Sequence, residues 1–314
     1  HRDAVFGLVY LDSTGHAGAL DREKLALLSA VTNQAAIKID NLRLVEESIS
    51  AARMERELAL AAEIQSTMLP QAPFHHPGYL SQGFNKPCYE VGGDYFDFMP
   101  MAGGGFAVTV ADVSGKGASG ALLMASCKSM LTAQLDAADP LEERVRKLNR
   151  FVKDNSTANK FITFFQAEID AVPERLRYAN AGHNPSIVVT REGSIELLPS
   201  TGPVLGLLDL PFKVAESDFP EGATLVAYSD GVTEAANADD EEYGEDRLQE
   251  VVRASSRTTI LPPFVRATAG RAEAKRPDLE TWRELSRWPA RAPHRVTSAT
   301  LHSVIIRADL QHLV

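Results

Sequence analysis

Three short segments place an aspartate beside glycine where a strand ends or a turn forms: Gly92-Gly93-Asp94-Tyr95, Asp112-Val113-Ser114-Gly115-Lys116-Gly117 and Ser229-Asp230-Gly231. Taken singly, an Asp-Gly pair is a turn, because aspartate satisfies nearby backbone amides and glycine accepts positive φ. Together they carry more. Asp112 and Asp230 each follow a strongly apolar run, Phe106 to Ala111 and Leu225 to Tyr228, so both carboxylates are expected at sheet ends where a cation could gather them. Carboxylates without a histidine or thiolate cluster suit hard ions such as Mg²⁺ or Mn²⁺ rather than zinc. Two such ions ~3.5–4 Å apart can turn a bridging water into hydroxide and neutralise the charge on a transferring phosphoryl group, with no protein nucleophile.

Rival chemistries are weaker. A phosphate-cradling G-x-x-x-x-G-K-[ST] loop around Lys116 would need glycine at 110 and a hydroxyl residue at 117, where the chain has Val110 and Gly117. Gly115 and Gly117 instead let the backbone turn from strand into a helix starting near Ala118, whose free amides could still meet an anion. His183, in Ala181-Gly182-His183-Asn184-Pro185, is the histidine best placed to act as a general acid. The simpler expectation is a hairpin turn between strands Leu176 to Ala179 and Ile187 to Thr190, set by Gly182, Asn184 and Pro185. Cys88 and Cys127 show no metal-ligand spacing and no disulfide framework, which fits a reducing cytoplasm, and Cys127 is expected in the core.

The elements that must position these residues begin with a long helix. From Leu25 through Leu28, Val31, Ala35, Ile39, Leu42, Val45, Ile49, Leu58 and Ile64 to Met68, apolar residues recur at three- and four-residue steps, with neither glycine nor proline between Asp21 and Leu69. At ~1.5 Å per residue this span reaches about 70 Å, longer than one small domain face, so part of it is expected to pair with a second copy as a coiled coil. Two shorter helices broken near Ser48-Ile49-Ser50 are the alternative. After Pro70 short strands dominate, at Phe106 to Ala111, Phe161 to Ile169, Leu176 to Ala179, Ile187 to Thr190, Ile195 to Leu198, Thr224 to Tyr228 and Thr300 to Arg307. Helical pattern fills Ala118 to Leu135 and Leu141 to Asn155, and the mixture predicts an α+β layered domain rather than a doubly wound sheet.

The 314 residues, 44% of them hydrophobic, suffice for a sizeable core. The formal charge of −10 argues against nucleic acid or an anionic membrane as the main partner. No signal peptide or membrane span is visible. The chain opens on His1 and a β-rich run, Val5 to Leu11, as a piece of something longer would.

In order, Glu63-Ile64-Gln65 with Met68-Leu69-Pro70, Val91 to Phe98, Asp112 to Gly117, Ala179 to Pro185, Tyr228 to Ala235 and Tyr243 to Leu248 closely resemble the SpoIIE/RsbU branch of the metal-dependent protein phosphatases, the PPM family. The resemblance implies a sandwich of two antiparallel sheets flanked by helices over residues 71–310, behind a linker helix over 20–70, with a dinuclear Mn²⁺ or Mg²⁺ site at one edge. It implies that Asp112 bridges the ions, that the Val113 carbonyl helps hold one, that Asp94 serves that ion directly or through water, and that Asp230 holds the other. It further implies hydrolysis of phosphoserine or phosphothreonine on a STAS-type anti-sigma-factor antagonist, within a partner switch that frees a sigma factor. Residues 1–45, with Phe6 to Asp12 and Leu27 to Glu46, resemble the end of a GAF sensor domain.

One departure stands out. The resemblance calls for a paired Asp-Asp before the final strand, the first being a ligand of one metal, but Thr297-Ser298-Ala299 stand there, behind an atypical stretch, 253–296, rich in arginine and proline. The alternative function is therefore a catalytically weak or silent scaffold that binds a phosphorylated partner.

Overall fold

The structure is a computed structural model that describes residues 7–10, 22–86, 90–115, 117–136, 139–157, 160–170, 174–237, 240–255 and 301–308. It divides into two compact units, His1–Leu60 and Ala61–Val314.

In the first unit, helix α1 (Arg22–Met68, ending in the second unit) runs unbroken through Ser48-Ile49-Ser50, so the two-helix alternative is not met. None of its residues is buried, and Leu42 and Ile49 are 59% and 64% exposed. Among the described residues no helix is long and apolar enough to cross a membrane. Gly7–Tyr10 form no strand, contrary to the expectation for Val5 to Leu11, whose other residues lie outside the described ones. A strand needs a hydrogen-bonded neighbour, and no described strand pairs with these residues.

The second unit carries strands β1 (Phe74–His76), β2 (Tyr79–Lys86), β3 (Tyr95–Pro100), β4 (Phe106–Val113), β5 (Ile162–Ile169), β6 (Arg175–Ala181), β7 (Ser186–Val189), β8 (Ile195–Leu198), β9 (Ala215–Asp218), β10 (Thr224–Tyr228) and β11 (Leu301–Ala308). Its remaining helices are α2 (Ala118–Asp136), α3 (Leu141–Asn155), α4 (Asp230–Thr233) and α5 (Glu245–Ser255). The strands form two sheets, ordered β1-β2-β11-β10-β7-β8 and β3-β4-β5-β6-β9, and every pairing within them is antiparallel.

Alternation along the strands feeds three apolar layers. Phe106, Val108 and Val110 of β4 join Phe165 and Ala167 of β5 and Leu225 and Ala227 of β10 in the layer between the sheets. The intervening residues Ala111, Val113, Ile162 and Phe164 face outward against Met124, Cys127 and Leu131 of α2 and Val145, Leu148 and Val152 of α3. Ile187, Val189, Val226 and Tyr228 pack under Leu248 and Val252 of α5 on the other outer face. Strands buried on both faces read as continuous apolar runs, which is why β4, β5, β7 and β10 are visible in the sequence. Cys127 is a free core thiol, pushed up to about 12 by burial, as expected of a packing residue.

One buried ion pair crosses a layer. Arg144 of α3 pairs with Glu168 of β5 and donates to Gln166, which in turn donates to Thr109, while Glu168 also meets Arg177 at 2.7 Å. A charge so buried requires this full set of partners.

Two expectations are corrected. β4 extends to Val113, so Asp112 lies inside the strand rather than after it. β6 and β7 are not a hairpin: β6 pairs with β5 and β9, and β7 with β10 and β8, in different sheets. Ala181 to Pro185 is a crossover between sheets, because both flanking strands have their neighbours elsewhere.

Candidate active site

The site starts from strand register. The last pair of the β3–β4 ladder is Tyr95 opposite Ala111, and continuing that register past the end of β3 puts Asp94 level with Asp112 and Gly93 level with Val113. Close approach bears this out, since a Cβ on Gly93 would lie 2.7 Å from the Val113 carbonyl oxygen. Only glycine lets the two backbones run so near. Asp94 is buried, at 3% exposure, and Asp112 is half-buried. Both share the even-numbered alternation of Phe96, Phe98, Val108 and Val110, which places them on the face turned toward the other sheet, at the mouth of the inter-sheet layer.

The turn after Asp112 is bound tightly to the start of β5. Phe161 N–H donates to Ser114 Oγ at 2.8 Å, Ser114 N–H donates to the Phe161 carbonyl at 2.9 Å, and Lys160 Nζ donates to the Ser114 carbonyl at 2.9 Å. Gly115 has φ +97°, and a Cβ there would meet Lys160 Nζ at 1.8 Å. Lys116, the centre of the rejected phosphate-loop reading, lies outside the described residues. Asp97, in the same Val91 to Phe98 motif, is engaged structurally: Lys128 Nζ lies 2.6 Å from its carboxylate and the Tyr95 hydroxyl donates to it at 3.0 Å.

Asp112 pairs across the β4–β5 ladder with Thr163, and Thr163 Oγ1 lies 2.8 Å from His183 Nδ1. His183 is buried, at 4% exposure, and its N–H donates to Asn180 Oδ1 at 2.8 Å. The histidine is thus held one side chain away from Asp112 as the chain passes between sheets. Its position is more than a turn, and Thr163, a lone hydroxyl in the apolar run Ile162 to Phe165, is the signal that could have shown it.

Asp230 begins α4, directly after β10 and Ser229. Because β10 runs antiparallel to β7, its end lies beside the start of β7, where the crossover carrying His183 arrives. Topology therefore brings Asp94, Asp112 and Asp230 to one end of the sandwich, the first two from one sheet and the third from the other. The Asp230 carbonyl accepts the Glu234 N–H at 2.8 Å and the Thr233 hydroxyl at 3.1 Å. Repulsion from Asp230, then burial, then Glu242 raise the Glu234 carboxyl above its ordinary value.

Among the described residues no group of three or more His, Cys, Asp or Glu side chains forms a ready ion cage. The expected closing position, Thr297-Ser298, lies outside the described residues, as do Asp278 and Glu280, which could replace it. The groups that topology sends to this end of the sandwich are carboxylates and the Val113 carbonyl, oxygen donors of the kind that suit Mn²⁺ or Mg²⁺.

A family profile described as Stage II sporulation protein E (SpoIIE) matches residues 102–278. The phosphoserine phosphatase RsbU of Bacillus subtilis is 30% identical over 187 residues, covering 58% of this chain and 54% of that protein. Protein IcfG of Synechocystis is 27% identical over 235 residues, covering 65% of this chain and 37% of that protein. The chain thus spans about half or less of the length of these curated relatives. Among solved structures, the SiaA-PP2C domain of Pseudomonas aeruginosa superposes with a TM-score of 0.66 at 19% identity, covering 83% of this chain and 99% of that one. The RsbU and RsbW domains of Rv1364c from Mycobacterium tuberculosis give 0.58 at 22% identity, covering 76% of this chain and 62% of that one. At these identities the structural likeness speaks to the fold.

Proposed function

The chain belongs to the SpoIIE family of PP2C-type phosphatases, and from that premise we propose that it is a metal-dependent protein-serine/threonine phosphatase with Asp94, Asp112 and Asp230 at its centre. The observation that carries this reading is the β3–β4 register, whose last pair, Tyr95 with Ala111, leads straight into Asp94 on one strand and Asp112 on the other, at the end where Asp230 leaves the second sheet. Asp94, Asp112, the Val113 carbonyl and Asp230 are the residues that would hold Mn²⁺ or Mg²⁺. The ions, when bound, supply an activated water and charge neutralisation for the phosphoryl group. RsbX, a structure of the same fold at a TM-score of 0.51, was solved with magnesium. The protein's own part is to aim these oxygens, through the ladder at Asp112, the Gly93 approach at Asp94 and the α4 turn at Asp230, and to seat His183 against Thr163 beside them.

The relatives RsbU and RsbP are named phosphoserine phosphatases. We therefore place the substrate among phosphoserine or phosphothreonine proteins, specifically a STAS-type anti-sigma-factor antagonist in a partner switch. Cysteine usage supports the cytoplasm. The exposed apolar residues of α1, Leu42 and Ile49 among them, support a homodimer through a coiled coil, following a GAF-like sensor. Light scattering on the full chain is expected to show a dimer that becomes monomeric when Leu42 and Ile49 are both changed to lysine. A wild-type monomer at high concentration would refute the pairing.

The central experiment is Mn²⁺-dependent hydrolysis of p-nitrophenyl phosphate and of a phosphoserine peptide, with Asp112→Asn as the inactive control. Equal rates for both proteins would overturn the assignment. A second reading, a weak or silent scaffold for a phosphorylated partner, is favoured by Thr297-Ser298-Ala299 where an aspartate pair is called for. It predicts phosphopeptide binding without turnover.

A further inference from the structure

The turn that carries Asp94 is held on three sides. Val113 lies against Gly93 from one side, as described above. A second side is the start of α2, where a Cβ on Gly120 would come within 3.4 Å of Gly93 Cα. The third side is Gln65, in the last turn of α1 and within the second unit. Gln65 Nε2 donates to the Gly92 carbonyl at 2.7 Å, and the Gly92 N–H donates back to Gln65 Oε1 at 3.0 Å.

This pairing has the form of a strand bridge. A primary amide offers one donor and one acceptor side by side, and here it satisfies both main-chain groups of a single glycine, 27 residues away in the chain. Gln65 is half-buried, and Leu69, just past the end of α1, packs into the layers around β3 and α2. The two hydrogen bonds to Gly92 hold the Gln65 amide in one orientation. Gly92 and Gly93 have no side chains with which to hold their own course. Removing the Gln65 side chain takes away both of these bonds to Gly92, next but one to Asp94 in the chain.

We propose that Gln65 is a positioning residue for Asp94, so that the end of α1 forms part of the shell that sets metal affinity; this rests on the metal-centre reading given above. Loss of a group that orients a metal ligand characteristically weakens metal binding about 10–100-fold. A deficit at the lower end of that range, about tenfold, is expected here because Gln65 acts through the backbone.

The test uses the full chain and three substitutions. Gln65→Leu keeps volume and removes both hydrogen bonds. Gln65→Asn keeps the amide but is one methylene too short to span Gly92, and it replaces the leucine variant if that one does not fold. Ser66→Ala is the control, because the Ser66 hydroxyl is exposed and bonds back to the Glu63 carbonyl within the helix. Calorimetric titration with MnCl₂ is expected to show binding about tenfold weaker in either Gln65 variant and unchanged in Ser66→Ala. Hydrogen exchange is expected to speed up across Gly92 to Tyr95, and the hydrolysis rate at saturating Mn²⁺ to return close to wild type. Titrations superimposed on wild type would overturn the role of Gln65, whatever the exchange rates. The Asp112→Asn protein separates the two failures. Where it loses Mn²⁺ binding but Gln65→Leu does not, only this inference falls; where Asp112→Asn binds Mn²⁺ like wild type, the metal-centre reading falls and takes the inference with it.

Discussion

Two of the three aspartates, Asp112 and Asp230, are held differently. Asp112 sits inside β4, paired on one side with β5 and facing the continuation of β3 on the other, so its backbone is fixed by a ladder. Asp230 has left β10 and opens a four-residue helix outside the sheet, where its carbonyl accepts bonds from Glu234 and Thr233. Its surroundings are also more acidic, with Glu234 raised by the charge of Asp230 and, to a lesser degree, of Glu242. A ladder aims a carboxylate without choice, whereas a short turn leaves it room to adjust. The first is suited to an obligatory ligand and the second to one whose loss can be offset by more metal.

The largest test of that difference is Asp112→Asn, for which a fall in Mn²⁺-dependent hydrolysis of at least about a hundredfold is expected, with no recovery at high Mn²⁺. Asp230→Asn should lose less, and steady-state rates should recover as Mn²⁺ is raised into the millimolar range. Equal, unrecoverable losses would erase the distinction between the two ends. Gly93→Ala comes next: a methyl 2.7 Å from the Val113 carbonyl must push the Asp94 turn away. Thermal unfolding should report a cost of about 1–3 kcal/mol for this overpacking, together with weaker Mn²⁺ binding. The smallest effect is a gain. Changing Thr297 and Ser298 to aspartate should strengthen the ion held by Asp230, because a hydroxyl is a poor substitute for a charged oxygen on a hard divalent ion. Calorimetry would read this as a tightened second Mn²⁺ site, and two tight, equivalent sites in the unmodified chain would show that another carboxylate already fills the place.

Much of the frame was legible in the residues. α3 and the strands β8 and β10 fall where periodicity set them, and α1, expected over 20–70, is described as Arg22–Met68, because helix and buried-strand patterns are written in neighbouring side chains. β2 and β3 were not legible. β2 carries Gly83 in its middle because the Phe96 ring lies where a side chain would be, with a Cβ there falling 2.0 Å from that ring. β3 contains Asp97, a charge that looks out of place in a buried strand until Lys128, 31 residues on, is seen to pair with it. Both cases depend on a partner remote in sequence.

The same division runs through the site. Sequence alone determined which residues could carry the chemistry: the aspartates beside glycines, the absence of a zinc-type ligand cluster around them, and the resemblance spread over ordered motifs. Tertiary structure alone decided that Gly93 lies against Val113, that Asp112 belongs to its strand, and that the segment around His183 crosses between sheets instead of closing a hairpin. Turn chemistry and hydrophobic period act within a few residues, so they announce themselves locally. Strand partners are chosen by which hydrogen-bonding edges remain open once the layers pack, and that choice is made across the whole domain.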